Sequence, residues 1–159
     1  MKYYDEVKDL DIDIMLEVKD KNLSAVKCVL ATVKKGEIKN LEQEWSRYKY
    51  VVLERSQDIY QSIRSLLKDK SDYPVIQFYR LIEAAIDLEP SNNSALNAAS
   101  HVWGYVKNEA TDKEKTKFKY LSEAITSEEA KIEKLKVFLR QMMEKYSQYY
   151  MLQSLYFEF

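Results

Sequence analysis

The chain has 159 residues, the size of one domain, with 46% apolar residues, 25 Lys plus Arg against 26 Asp plus Glu, and only two Gly and two Pro. So little Gly and Pro excludes a fold built on hairpin turns, and the near-zero net charge of −1 is not that of a strongly basic nucleic-acid binder. One Cys and one His exclude an internal disulfide, a Cys/His zinc site and a cysteine-ligated iron-sulfur cluster within the chain, so no cofactor and no bound metal are expected.

Residues 1–20 carry seven acids against three lysines, a net of −4 that leaves +3 for the remainder. Tyr3, Val7, Leu10 and Ile14 recur at helical spacing, and we read 1–21 as an acidic, helical N-terminal segment attached to a helical domain over 22–159. Leu23, Val26, Leu30 and Val33 predict a helix over 22–35 with Gly36 as its C-cap, and Cys28 inside it as a core residue. The helix predicted over 38–55 carries Leu41, Trp45, Tyr48 and Val52 on one face, with a charged face opposite. Ser56 is placed to cap the next helix, Pro74 to begin another, and Pro90 to follow its end near 88.

SNNS at 91–94 opens a helix predicted to run from about 93 to 109. Thr111 and Glu114 have capping-box spacing for the helix that follows. Thr126 or Ser127 is expected to cap the last helix, whose seam of Ile132, Leu135, Leu139, Met142, Tyr146 and Tyr149 must be buried. The fold expected is an all-α compact bundle of six to eight helices. No apolar run approaches the roughly 20 residues that cross a bilayer, and a cytoplasmic protein without a membrane partner is expected.

Residues 97–107, NAASHVWGYVK, depart from plain packing. At about 100° per residue, Ala95, Ala99, Val102, Trp103 and Val106 share a core side, while Asn97, His101, Gly104 and Tyr105 share the other, with Lys107 at its edge. Gly104 within a helix costs roughly 0.8–1 kcal/mol relative to Ala, which a close approach of backbone or ligand would justify. Either His101 and Asn97 hydrogen-bond a neighbouring element that Gly104 admits, or the face meets a ligand. Catalysis by His101 would need an orienting carboxylate that spacing does not identify.

WSRYKYVVLERS at 45–56, YQSIRSLLKDK at 60–70, NAASHVWGYVK at 97–107 and YYMLQSLYF at 149–157 resemble the YbgA-like family of domains of unknown function, over residues 41–157. The resemblance implies a small helical domain, found alone or fused behind a thiouracil desulfidase domain, where a role in holding thiolated tRNA has been proposed. It implies no desulfidase activity for this chain, which lacks the cysteines, and it makes a desulfidase-type protein a conceivable partner. Tyr48 stands where that family often has His.

Together these readings predict a non-catalytic accessory domain that holds structured RNA such as tRNA, with Arg47, Lys49 and Lys107 on phosphates and Tyr105 stacking on a base. Asn97, His101, Gly104, Trp45, Tyr48 and Trp103 complete the motif face. The alternative is a protein-interaction or homodimeric scaffold module that docks through the aromatic segment QYYMLQSLYFEF. An enzyme using His101 is the third reading.

Overall fold

A computed structural model describes residues 2–13, 15, 23–33, 36–127 and 131–159. Every regular element among them is helical: α1 (Lys2–Val7), α2 (Leu23–Thr32), α3 (Ile38–Arg55), α4 (Gln57–Leu66), α5 (Val75–Ile86), α6 (Asn92–Trp103), α7 (Asp112–Thr126), α8 (Ile132–Lys145), α9 (Tyr149–Leu152) and a closing 3₁₀ turn (Leu155–Phe157). The fold is the expected all-α bundle.

Helix α3 is its axis. The predicted single apolar face is too narrow, because Tyr50, Val51, Val52, Leu53 and even Glu54 are all buried, and α3 packs against α4, α5, α6 and the 3₁₀ turn. It thereby divides the core in two. Tyr50 and Leu53 join Val102, Trp103, Leu135, Leu139 and Tyr156 on one side. Leu41, Tyr48, Val51 and Val52 join Ile63, Phe78, Tyr79 and Ile82 on the other. Over 50–54 the helix is buried on every side, as expected of a segment packed by several neighbours, while Lys39, Asn40, Glu42 and Gln43 of its first half are exposed.

Local capping chemistry sets several boundaries. Ser56, in an extended conformation, ends α3 and accepts the Ile59 amide with its side chain to start α4. Thr111 and Glu114 form the predicted capping box. The Glu114 carboxylate is held by Lys145 at 2.6 Å, by the Thr111 amide at 2.8 Å and by the Tyr146 hydroxyl at 2.8 Å, which depress its pKa to about 2 and tie the start of α7 to the end of α8.

Other expectations are corrected. In the N-terminal segment α1 stops at Val7 and residues 11–13 are not helical, while Ile14 lies outside the described residues. Helix α2 ends at Thr32, contributes no fully buried residue and leaves Cys28 half-buried. Gly36 is therefore not its C-cap, and its φ is not positive. A Cβ there would lie 2.1 Å from the Tyr73 ring, whose hydroxyl donates to the Leu30 carbonyl at 3.1 Å. Gly36 is needed for that close approach.

Neither Thr126 nor Ser127 caps α8. Thr126 is the last residue of α7, Ser127 is its C-cap, and Lys131 precedes α8. The seam of α8 breaks earlier than its periodicity indicates. Ser147 takes a left-handed φ of 52°, its amide donates to Glu144 O at 3.2 Å, and the Gln148 amide donates to Met143 O at 2.9 Å. This is a Schellman turn without its usual glycine. It redirects the chain so that α9 folds back towards α3.

Candidate nucleic-acid interface

The predicted site residues fall into three environments. Tyr48 and Trp103 are core residues, Trp103 lying parallel to Phe118 with ring centroids 4.6 Å apart. Asn97, His101 and Gly104 are exposed, and the side chains of Asn97 and His101 have no hydrogen-bond or ion-pair partner among the described residues. Helix α6 ends at Trp103, and 104–110 form successive turns in place of the predicted helix to 109. Gly104 is the C-cap of α6, and the nearest atoms a Cβ would meet are those of its own preceding turn at His101 and Ser100. Neither a neighbouring helix nor a hydrogen-bonded partner among the described residues explains this face.

Arg47 and Lys49 point to different surfaces of α3. Arg47 binds the buried Glu44 at 2.7 Å, whose other oxygen accepts the Tyr79 hydroxyl at 3.1 Å. Its charge is spent inside the fold. Lys49 instead sits among phenols. Its ammonium lies 4.6 Å from the Tyr50 ring centroid and 4.9 Å from that of Tyr150, and donates to the Tyr105 hydroxyl at 3.3 Å. The Tyr50 hydroxyl donates to Tyr105 as well, at 3.0 Å. Burial opposes the charge of Lys49, but the hydroxyls of Tyr150 and Tyr105 outweigh it and hold the ammonium above the usual lysine range. Burial and the bond to Tyr105 push the Tyr50 phenol upwards. Around neutral pH this cluster is thus a cation held by neutral rings.

Tyr105 is half-buried and stacked against Tyr150, with centroids 5.9 Å apart and planes at 27°. It positions Lys49 rather than standing free, and the ring beside it that reaches the surface is Tyr150, 43% exposed. Lys107 is exposed and has no ion-pair partner among the described residues.

Between α3 and α4 opens a cleft of about 670 Å³ into which Lys49 faces. Trp45 and Lys49 line it from α3, Tyr60, Arg64 and Leu67 from the α4 side, Lys68 and Lys70 from the turn after α4, and Tyr150 from α9. Four cations and one carboxylate, Glu42, line this cleft. Glu42 pairs with Lys70, which also donates to the Leu67 carbonyl at 2.8 Å. Lys49, Arg64 and Lys68 have no carboxylate partner among the described residues, which is also true of exposed lysines elsewhere such as Lys39, Lys107 and Lys113; in the cleft the three stand together beside aromatic rings. Arg64 lies over the Tyr60 ring at 5.8 Å, and Tyr60 packs against Trp45 at 5.3 Å. The lining combines uncompensated positive charge with exposed ring surface.

Tyr60 is a site residue that the sequence does not single out, and Tyr150 stands out there only as part of the aromatic C-terminal segment. The spacing holds part of the signal: Trp45 and Lys49 are one turn apart on α3, and Tyr60, Arg64 and Leu67 share one side of the α4 region. Nothing in it says that these faces meet, or that α9 returns to them.

The structural class that the fold and the site define is a helical bundle with a cationic, aromatic cleft between two of its helices. The chain belongs to the DUF1722 family of proteins of unknown function, whose family model matches residues 49–159. That span includes every cation of the cleft. The chain is also similar to a UV DNA damage endonuclease of Clostridium perfringens, 30% identical over 149 residues, covering 91% of this chain and 34% of that protein. It therefore spans about a third of the length of this curated relative. No solved structure matches the chain. Among the described residues no helix is long and apolar enough to cross a membrane.

Proposed function

We propose that the chain is a non-catalytic accessory module that holds nucleic acid in the cleft between α3 and α4. The observation that carries this reading is the set Lys49, Arg64 and Lys68, three cations without carboxylate partners among the described residues, gathered beside Trp45, Tyr60 and Tyr150. Phosphate neutralisation combined with stacking on aromatic rings is how nucleic-acid surfaces work, and here the three cations stand beside three rings in one cleft. The resemblance to YbgA-like domains favours structured RNA such as tRNA, in the cytoplasm and in the company of a desulfidase-type protein. The name of the Clostridium perfringens relative favours DNA, with the module serving a repair enzyme. Both polymers present the phosphates and base faces that the lining meets.

Fluorescence anisotropy with labelled tRNA and with DNA, over a series of salt concentrations, tests this. Replacing Arg64 and Lys68 together by Ala is expected to weaken binding and to flatten the dependence of log affinity on log salt by roughly 0.7–0.9 for each phosphate no longer neutralised. Unchanged affinity and slope in this variant would remove the cleft from the reading. Failure of the native chain to bind either polymer would leave the interaction-module reading. That reading has less surface than the sequence indicates, because Met151, Leu155 and Tyr156 of the C-terminal segment are buried and Tyr149 stands out at 72% exposure.

A further inference from the structure

Nucleic acid can meet a basic surface as a duplex, through its backbone alone, or as a single strand, through backbone and bases together. The cleft contains features that only the second case uses. Trp45 is half-buried, packed on Tyr60 with a tilt of 49°, and lines the opening. Tyr150 flanks the same opening and is fixed from behind by Tyr105 and Lys49. The rings are preorganised, so little side-chain freedom is lost when a planar ligand meets them. Arg64 and Lys68 stand one turn apart along the opposite wall, able to track successive phosphates.

In a duplex each base has both faces covered by its neighbours, and a recessed indole cannot reach them. A base that has left its stack exposes a face and can enter a cleft between two helices. We infer that the cleft takes single-stranded nucleic acid, with an unstacked base against Trp45 and the flanking phosphates on Arg64 and Lys68. This rests on the nucleic-acid reading above and narrows it: structured RNA would be held by its loops, and DNA where its strands are parted.

The two tryptophans make the inference measurable. Trp45 borders the cleft, while Trp103 is buried against Phe118 and reports only on the fold. The full chain is titrated with oligo(dT) and oligo(U) of about 12 nucleotides, a length within the usual site size, and with a blunt duplex of equal length. Single strands are expected to quench tryptophan emission and to bind roughly tenfold or more tighter than the duplex. Trp45→Phe is expected to abolish the quench, to weaken single-strand binding measured by anisotropy, and to leave the Trp103 emission and the melting transition in place. Equal or tighter duplex binding, or single-strand binding that leaves Trp45 emission unchanged, overturns the inference while the broader reading stands. Absence of binding to all three probes overturns the inference, and absence of binding to labelled tRNA as well overturns the broader reading with it.

Discussion

Two lysines of this protein occupy similar aromatic settings and differ in the group that answers their charge. Lys136 lies 4.6 Å over the Tyr156 ring and reaches Glu54 at 2.7 Å, inside a cluster where Glu54 is 1% exposed. Lys49 lies 4.6 Å from the Tyr50 ring and meets hydroxyls only. Lys136 also donates to the Phe159 carbonyl at 3.3 Å, and its pairing with the buried Glu54 consumes its charge in holding α8 against α3. Lys49 is held by neutral groups alone, and it lines the cleft. The comparison separates a cation used for architecture from one available to an anion.

The largest expected effect comes from breaking the first pair. Lys136→Met leaves a buried carboxylate without its main partner and is expected to lower the unfolding free energy by about 3–5 kcal/mol in urea titration. Burial pushes the Glu54 carboxyl above its usual range even with Lys136 and Arg55 opposing it, and loss of Lys136 pushes it further. A group whose folded pKa is raised contributes its stability at low pH and loses it as pH rises through that pKa. The deficit of the variant is therefore expected to shrink as pH falls from neutral towards the carboxylate range, and a pH-independent deficit would argue against the assignment.

Lys49→Met sharpens the other half of the comparison. It removes two cation–ring interactions and one hydrogen bond but leaves no buried charge behind, and about 1–2 kcal/mol of stability is expected to go with them. Its larger effect is expected on nucleic-acid binding and salt dependence. If stability falls as far as in Lys136→Met, Lys49 is architectural too. The smallest effect has the opposite sign. Ser147→Gly relieves a left-handed φ that costs a non-glycine residue about 1 kcal/mol, and a modest rise in melting temperature is expected, with the placement of Tyr150 against Lys49 unchanged.

Legibility follows the range of the interaction. Ser56, Thr111 and Glu114 are readable because a cap joins residues three apart. The turn at Ser147 is not, because tertiary packing holds a serine in a conformation that sequence assigns to glycine. Gly36 is legible as a special position but not as the right one, since the reason for it is no cap but Tyr73, distant in the chain. Spacing and residue type make Arg47, Lys49 and Tyr105 look like parts of one surface, yet Glu44 takes the first, and Tyr105 supports the second from behind.

By itself the sequence determined an all-α chain, its principal helices and several of their caps, and the absence of thiol and imidazole pairs within it. These follow from local periodicity and from residue inventory, which no packing arrangement changes. Tertiary structure alone decided that α3 is buried on every side over 50–54, that α9 turns back to place Tyr150 beside Lys49, and which cations of the described residues remain without carboxylates. Charge pairing is a property of distances in space, and two helices of mixed charge carry no mark in sequence of which residues will meet across the cleft between them.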